Sequence, residues 1–101
     1  MTEPFLMIDM GGTNIRFSTY DGVMSPVITY QTHDYGSLME AMKAYEAQSG
    51  RSLPRRIVMG VPGPVMADKL VFLNNPWSFS KTELIRQLGL TELKVVNDFE
   101  P

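Results

Sequence analysis

A chain of 101 residues can form one small domain, which buries roughly 60–65% of the surface its unfolded form exposes. Hydrophobic residues at 44% and charged residues at 20% are ordinary for a globular domain, and a formal charge of −2 supplies no long-range attraction for nucleic acid or an anionic membrane. Cysteine is absent, which excludes disulfides and thiolate metal sites and fits a cytoplasmic protein.

The chain opens with Glu3 and Pro4 before a short apolar run, which is wrongly flanked for a signal peptide, and no segment approaches the ~20 apolar residues of a membrane span. That run, Phe5-Leu6-Met7-Ile8, predicts a strand covered on both faces at the centre of a sheet. It leads into Asp9-Met10-Gly11-Gly12-Thr13-Asn14-Ile15-Arg16, a carboxylate followed by small and polar residues at a strand end. A glycine pair can adopt φ values closed to other residues and bring N–H groups close to an anion. Thr13 and Asn14 add side-chain donors, and Asp9 can hold a hydrated Mg²⁺ that bridges to a phosphate. Arg16 can offset phosphate charge or pair with a surface acid. A plain β-turn is the competing reading of Asp-x-Gly-Gly.

Ile15, Phe17 and Thr19 alternate as a second strand, and Asp21-Gly22 favours a tight hairpin. The glycine turn therefore joins two antiparallel strands. It differs from the strand-to-helix glycine loops of dinucleotide-binding and P-loop proteins, whose patterns do not occur. A third strand spans Val27 to Thr32. His33, the one histidine, reads as a surface loop residue and cannot build a metal cluster alone. Ser37 with Glu40 forms a capping box for a helix with Leu38, Met42 and Tyr45 on one face, and Gly50 ends it. Arg51, Arg55 and Arg56 read as a solvated group.

Arg56 to Val61 is a second apolar strand, broken by Pro62-Gly63-Pro64. Val65-Met66-Ala67 and Leu70-Val71-Phe72-Leu73 flank Asp68-Lys69, which suggests a small hairpin. A second capping box, Ser80 with Glu83, opens a helix with Leu84, Ile85 and Leu88 on its buried side, closed by Gly89. Leu93 to Val96 is the last strand. The class is α/β, in the order βββαβ(hairpin)αβ. Asp9 and Asp98 each follow an apolar strand, and parallel strands would set both carboxylates on one rim of the sheet. Two acids there can divide phosphoryl transfer, one holding the metal and the other accepting a proton. Asp98 can instead be the N-cap of a following helix, and Asn97 a turn residue.

Asp9 to Arg16, Gly60-Val61-Pro62-Gly63-Pro64-Val65, Leu73-Asn74-Asn75-Pro76-Trp77-Ser78-Phe79-Ser80 and Val95-Val96-Asn97-Asp98-Phe99 resemble, in order, landmarks of the bacterial glucokinases. More loosely they resemble the wider sugar-kinase, heat-shock ATPase and actin superfamily. The resemblance covers essentially the whole chain. It implies a ribonuclease-H-like (actin-like ATPase) N-terminal domain with a mixed sheet, lacking its final helix. Residues 1–101 would then be the smaller, N-terminal domain of a truncated enzyme whose second domain is absent.

The implied reaction is ATP-dependent phosphorylation of glucose, or a related hexose, at the 6-hydroxyl with Mg²⁺. The resemblance makes Asp98 the catalytic base, places Asn97, Asp98 and Asn74 at the sugar, and gives Mg²⁺ to Asp9. The nucleotide cofactor is bound by Asp9 through that Mg²⁺, and by Gly11, Gly12, Thr13, Asn14 and Arg16. Trp77 reads more strongly as a packing anchor than as a platform for a sugar ring. The intact enzyme would be a cytoplasmic homodimer of glycolysis, and this piece alone inactive or nearly so. The alternative is a non-catalytic sugar- or nucleotide-sensing module of the same fold, against which Asp98 argues. An actin-like or heat-shock-type ATPase is disfavoured by Asn97-Asp98-Phe99 and the asparagine-tryptophan segment.

Overall fold

The computed structural model describes residues 3–61, 68–72 and 75–97. Strands β1 (Phe5–Met10), β2 (Asn14–Tyr20) and β3 (Ile28–Gln31) come first, followed by a single 3-10 turn at Thr32–Asp34 and helix α1 (Leu38–Ser49). Then come β4 (Arg56–Val61), β5 (Lys69–Phe72), β6 (Asn75–Ser80), α2 (Lys81–Leu88) and β7 (Glu92–Asn97). A five-stranded sheet has the order β3-β2-β1-β4-β7, and β5 and β6 form a separate two-stranded sheet. Strand β1 runs antiparallel to β2 and parallel to β4, which runs parallel to β7, so the sheet is mixed as expected.

Both helices begin and end where local chemistry directs. The Ser37 hydroxyl accepts the N–H of Glu40 at 3.3 Å, and the Ser80 hydroxyl accepts that of Glu83 at 3.2 Å. Each satisfies a backbone donor that the helix itself leaves unpaired, typically worth ~1 kcal/mol. Gly50 and Gly89 take left-handed conformations, with φ of 70° and 62°. Asp68 adds a second cap to α2. Its carboxylate accepts the Thr82 N–H at 3.0 Å, the Thr82 hydroxyl at 2.7 Å and the Ser80 hydroxyl.

The core gathers on one face of the large sheet. Leu6, Ile8 and Met10 of β1 and Ile57, Met59 and Val61 of β4 are buried there with Leu38, Ala41, Met42 and Tyr45 of α1 and Leu84 of α2. Residues of opposite parity face the other way, and Met7 and Val96 remain 40% and 38% exposed. Strand β1 is therefore covered on one face and not on both. A continuous apolar run leaves open which of its two faces finds a partner.

Three other expectations are refined. Leu70 to Phe72 pairs with β6, in the register Leu70 to Phe79 and Val71 to Ser78, and Asp68 caps α2. Residues 62–67, including Val65 to Ala67, lie outside the described residues. The turn at Asp21-Gly22 is present, with a bridge from Tyr20 to Met24, but three further residues precede β3. Ile85 is 38% exposed, since a helix as short as α2 buries only a narrow stripe centred on Leu84. No helix among the described residues is long and apolar enough to cross a membrane.

Candidate functional site

The parallel strands β1, β4 and β7 end along one rim of the sheet. Asp9 of β1 is in register with Gly60 of β4, Gly60 with Val96 of β7, and Val61 with Asn97. Two inter-strand steps separate Asp9 from Val96, about 10 Å at ~4.8 Å per step. Asp9 shares an open groove of about 400 Å³ with Met7, Ile8, Val58, Gly60 and Val96. Gly60 has no side chain, so the space beside the carboxylate stays open. Its position inside an apolar strand was the sequence signal for such a close approach, and the motif reading assigned it no role.

On the other side of β1, Asp9 is in register with Arg16 of β2. The Arg16 Nη1 donates to Asp9 Oδ2 at 3.3 Å, with the two side chains 57% and 47% exposed. Of the two readings of Arg16, the ion pair is what the structure contains, and its acid is Asp9 itself. A single-contact pair this exposed is worth about 0–1 kcal/mol.

Between these strands the glycine turn is closed by its own backbone. Gly11 N–H donates to the Asn14 carbonyl at 2.8 Å, and Thr32 N–H donates to the Thr13 carbonyl at 2.8 Å, tying the turn to the end of β3. Neither Gly11 nor Gly12 has a positive φ, so these glycines are not explained by left-handed backbone. A Cβ on Gly11 would meet the Asn14 carbonyl oxygen at 3.1 Å, so closeness is the constraint there. Gly12 is half-buried, whereas Thr13 and Asn14 are exposed at the tip, available to a ligand. Thr32 is buried behind the turn, and its hydroxyl has no hydrogen-bond partner among the described residues.

Asn97 ends β7 on the same rim as Asp9. Asp98, Asn74 and Pro62-Gly63-Pro64 lie outside the described residues. Trp77 is a packing anchor: it is 4% exposed, and its indole N–H donates to the Tyr35 carbonyl at 3.1 Å. His33 is exposed and lies 3.5 Å from the carboxylate of its neighbour Asp34. Among the described residues no group of three or more histidine or carboxylate side chains converges on a metal position. One half-exposed carboxylate beside an open groove suits a hydrated Mg²⁺, which keeps several waters and shares its remaining positions with phosphates.

The family profile described as Glucokinase matches residues 6–101. Glucokinase from Aromatoleum aromaticum is 39% identical over 102 residues, an alignment that spans 97% of this chain and 31% of that protein. Glucokinase from Chromohalobacter salexigens is 36% identical over 104 residues, spanning 98% and 32% respectively. The crystal structure of a glucokinase from an Antarctic psychrotroph superposes with a TM-score of 0.85 at 32% identity, covering 98% of this chain and 33% of that one. A ROK family glucokinase from Streptomyces griseus, solved in complex with glucose and AMPPNP, shares the fold at a TM-score of 0.65 and 21% identity, over 95% of this chain and 33% of that one. The chain thus spans about a third of the length of these relatives.

Proposed function

Because this chain belongs to the glucokinase family, we propose that it is the N-terminal part of an enzyme that transfers the γ-phosphoryl of ATP to the 6-hydroxyl of glucose. The observation that carries the proposal is the shared rim: Asp9 and the Asn97 end of β7 lie two strands apart on one sheet edge, beside an open groove. In this reading the exposed Thr13 and Asn14, with Gly11, Gly12 and Arg16, approach the nucleotide phosphates, where backbone and side-chain donors offset negative charge. Asp9 would hold Mg²⁺, which when bound neutralises charge on the transferring phosphate. Asn97 would hydrogen-bond sugar hydroxyls, as would Asn74. Asp98 would accept the proton of the attacking hydroxyl.

Residues 1–101 supply one wall of such a site, and the adenosine pocket and the rest of the sugar site are assigned to a second domain. The piece alone should therefore show little or no turnover. Assembly as a homodimer and a place in the cytoplasm belong to the same proposal and rest on the family likeness.

The test compares the 101-residue chain with a version extended through a second domain, in a coupled assay with glucose, ATP and Mg²⁺. The extended protein should turn over, and its Asp98→Asn variant should lose roughly 10²–10⁴-fold in kcat. Full turnover by the short chain would overturn the division of the site. A normal kcat in the variant would remove Asp98 as the base. Tight glucose binding without phosphorylation by the extended protein would favour the sensing module.

A further inference from the structure

The proposed function, on which this inference rests, gives Asp9 to a cation and Arg16 to phosphate, yet the structure binds these two side chains to each other. Nη1 of Arg16 lies 3.3 Å from Oδ2 of Asp9 in a cross-strand pair whose backbone register is set by β1 and β2. A guanidinium and a divalent cation on one carboxylate repel each other and compete for its charge, so each weakens the hold of the other. The pair makes one contact, is about half exposed, and is readily exchanged. Arginine's planar fork of donors also matches phosphate oxygens better than a single contact to one carboxylate oxygen.

We propose that Arg16 is a positioning residue that acts as an internal counter-ion of Asp9, so that cation and nucleotide bind cooperatively. Arg16 holds Asp9 when only a cation is offered and lowers the affinity of that carboxylate for it. When a nucleotide offers its phosphates, Arg16 exchanges partners, and Asp9 is released to the cation. The coupling is reciprocal: the factor by which nucleotide raises cation affinity equals the factor by which the cation raises nucleotide affinity, and removing Arg16 lowers both by the same amount. Arg56 provides a reference charge: it lies at the opposite end of β4 and is engaged with Glu92 at 2.8 Å.

The experiment titrates Mn²⁺ into the protein extended through its second domain and follows paramagnetic broadening of the Met10 and Gly60 amide signals, with and without a non-hydrolysable ATP analogue. Circular dichroism confirms that each variant is folded, which the exposed position of Arg16 favours. Without nucleotide, Arg16→Gln should tighten apparent Mn²⁺ affinity roughly two- to five-fold, the range expected on losing an exposed ion pair. Arg16→Lys should stay near the native value, and Arg56→Gln should leave it unchanged. With the nucleotide analogue, the increase in Mn²⁺ affinity should be smaller in Arg16→Gln than in the native chain. Equal affinities for Arg16→Gln and the native chain, or the same rise in Arg56→Gln, would overturn the exchange. Asp9→Asn separates the two levels: its loss of broadening is required by the metal reading. Loss there with no effect at Arg16 would sink the exchange alone, while unchanged broadening would sink the metal reading and the exchange with it.

Discussion

The indole N–H of Trp77 donates to the backbone carbonyl of Tyr35 across 3.1 Å, joining the β5–β6 hairpin to the segment that leads into α1. Residues distant in sequence thereby become one packed unit, with the indole 4% exposed. The hydrogen bond gives a buried polar handle its partner, which is why a tryptophan is tolerated in this core. Trp77→Phe keeps most of the ring area but leaves the Tyr35 carbonyl without this donor. It should lower unfolding free energy by about 1–3 kcal/mol, read from urea denaturation followed by far-ultraviolet circular dichroism. An unchanged midpoint would show that water replaces the indole without cost.

Thr19 and Tyr45 make a second long-range tie, their hydroxyls 2.6 Å apart in the core, while Phe17 stacks on the Tyr45 ring at a centroid distance of 5.1 Å. Thr19→Val and Tyr45→Phe should each cost about 1–2 kcal/mol, and the double variant less than their sum, with a coupling of roughly 0.5–1.5 kcal/mol. Ser25 lies 3.4 Å from the Tyr45 hydroxyl and should recover part of the loss in Thr19→Val. Strict additivity in the cycle would contradict a shared hydrogen bond.

The Asp68 carboxyl is held below its ordinary value of 3.8 by hydrogen bonds from Ser80 first and then Thr82. A depressed carboxyl contributes stability that is complete above the unfolded value and is lost as pH falls through the lower folded one. The difference in thermal midpoint between the native chain and Asp68→Ala should therefore be constant near neutral pH and shrink on acidification below 3.8. A difference that persisted unchanged into strong acid would show that the cap does not depend on the charge.

Gly11 and Gly89 test two separate reasons for glycine. At Gly89 the φ of 62° is the constraint, and Gly89→Ala should cost about 1–2 kcal/mol with no effect on nucleotide binding. At Gly11 the added Cβ would sit 3.1 Å from the Asn14 oxygen, the same atom that accepts the Gly11 N–H at 2.8 Å. That oxygen cannot withdraw without loosening the turn. Gly11→Ala should destabilise by about 1–3 kcal/mol and weaken nucleotide binding to the extended enzyme several-fold, measured by isothermal titration. Full affinity in Gly11→Ala would remove the turn from the phosphate site.

Both helices were legible because their signals are local. Ser37 and Gly50, and Ser80 and Gly89, each act over a few residues, and the structure uses all four as expected, with Glu40 and Glu83 supplying the capped backbone N–H and the Glu83 carboxylate turned to Arg86. The order of strands was legible from apolar runs and turn residues. The partner of Leu70 to Phe72 was not, because Trp77-Ser78-Phe79-Ser80 alternates for only four residues after Pro76, and its pairing is a choice among edges. The capping role of Asp68 was hidden for a related reason: it reaches Thr82 across the hairpin, and no local pattern records that distance.

The amino-acid sequence by itself determined the element order, the helix ends and the chemistry available at the Asp9 turn, since propensities and caps are properties of short segments. Only the tertiary structure decided what surrounds Asp9. Burial of Leu6, Ile8, Phe17, Ile57 and Met59 on one face sets the register of three strands, and that register places Arg16 on one side of Asp9 and Gly60 on the other. A slip of one residue would turn each of these side chains to the opposite face, so the candidate site depends on core packing among residues far apart in the chain.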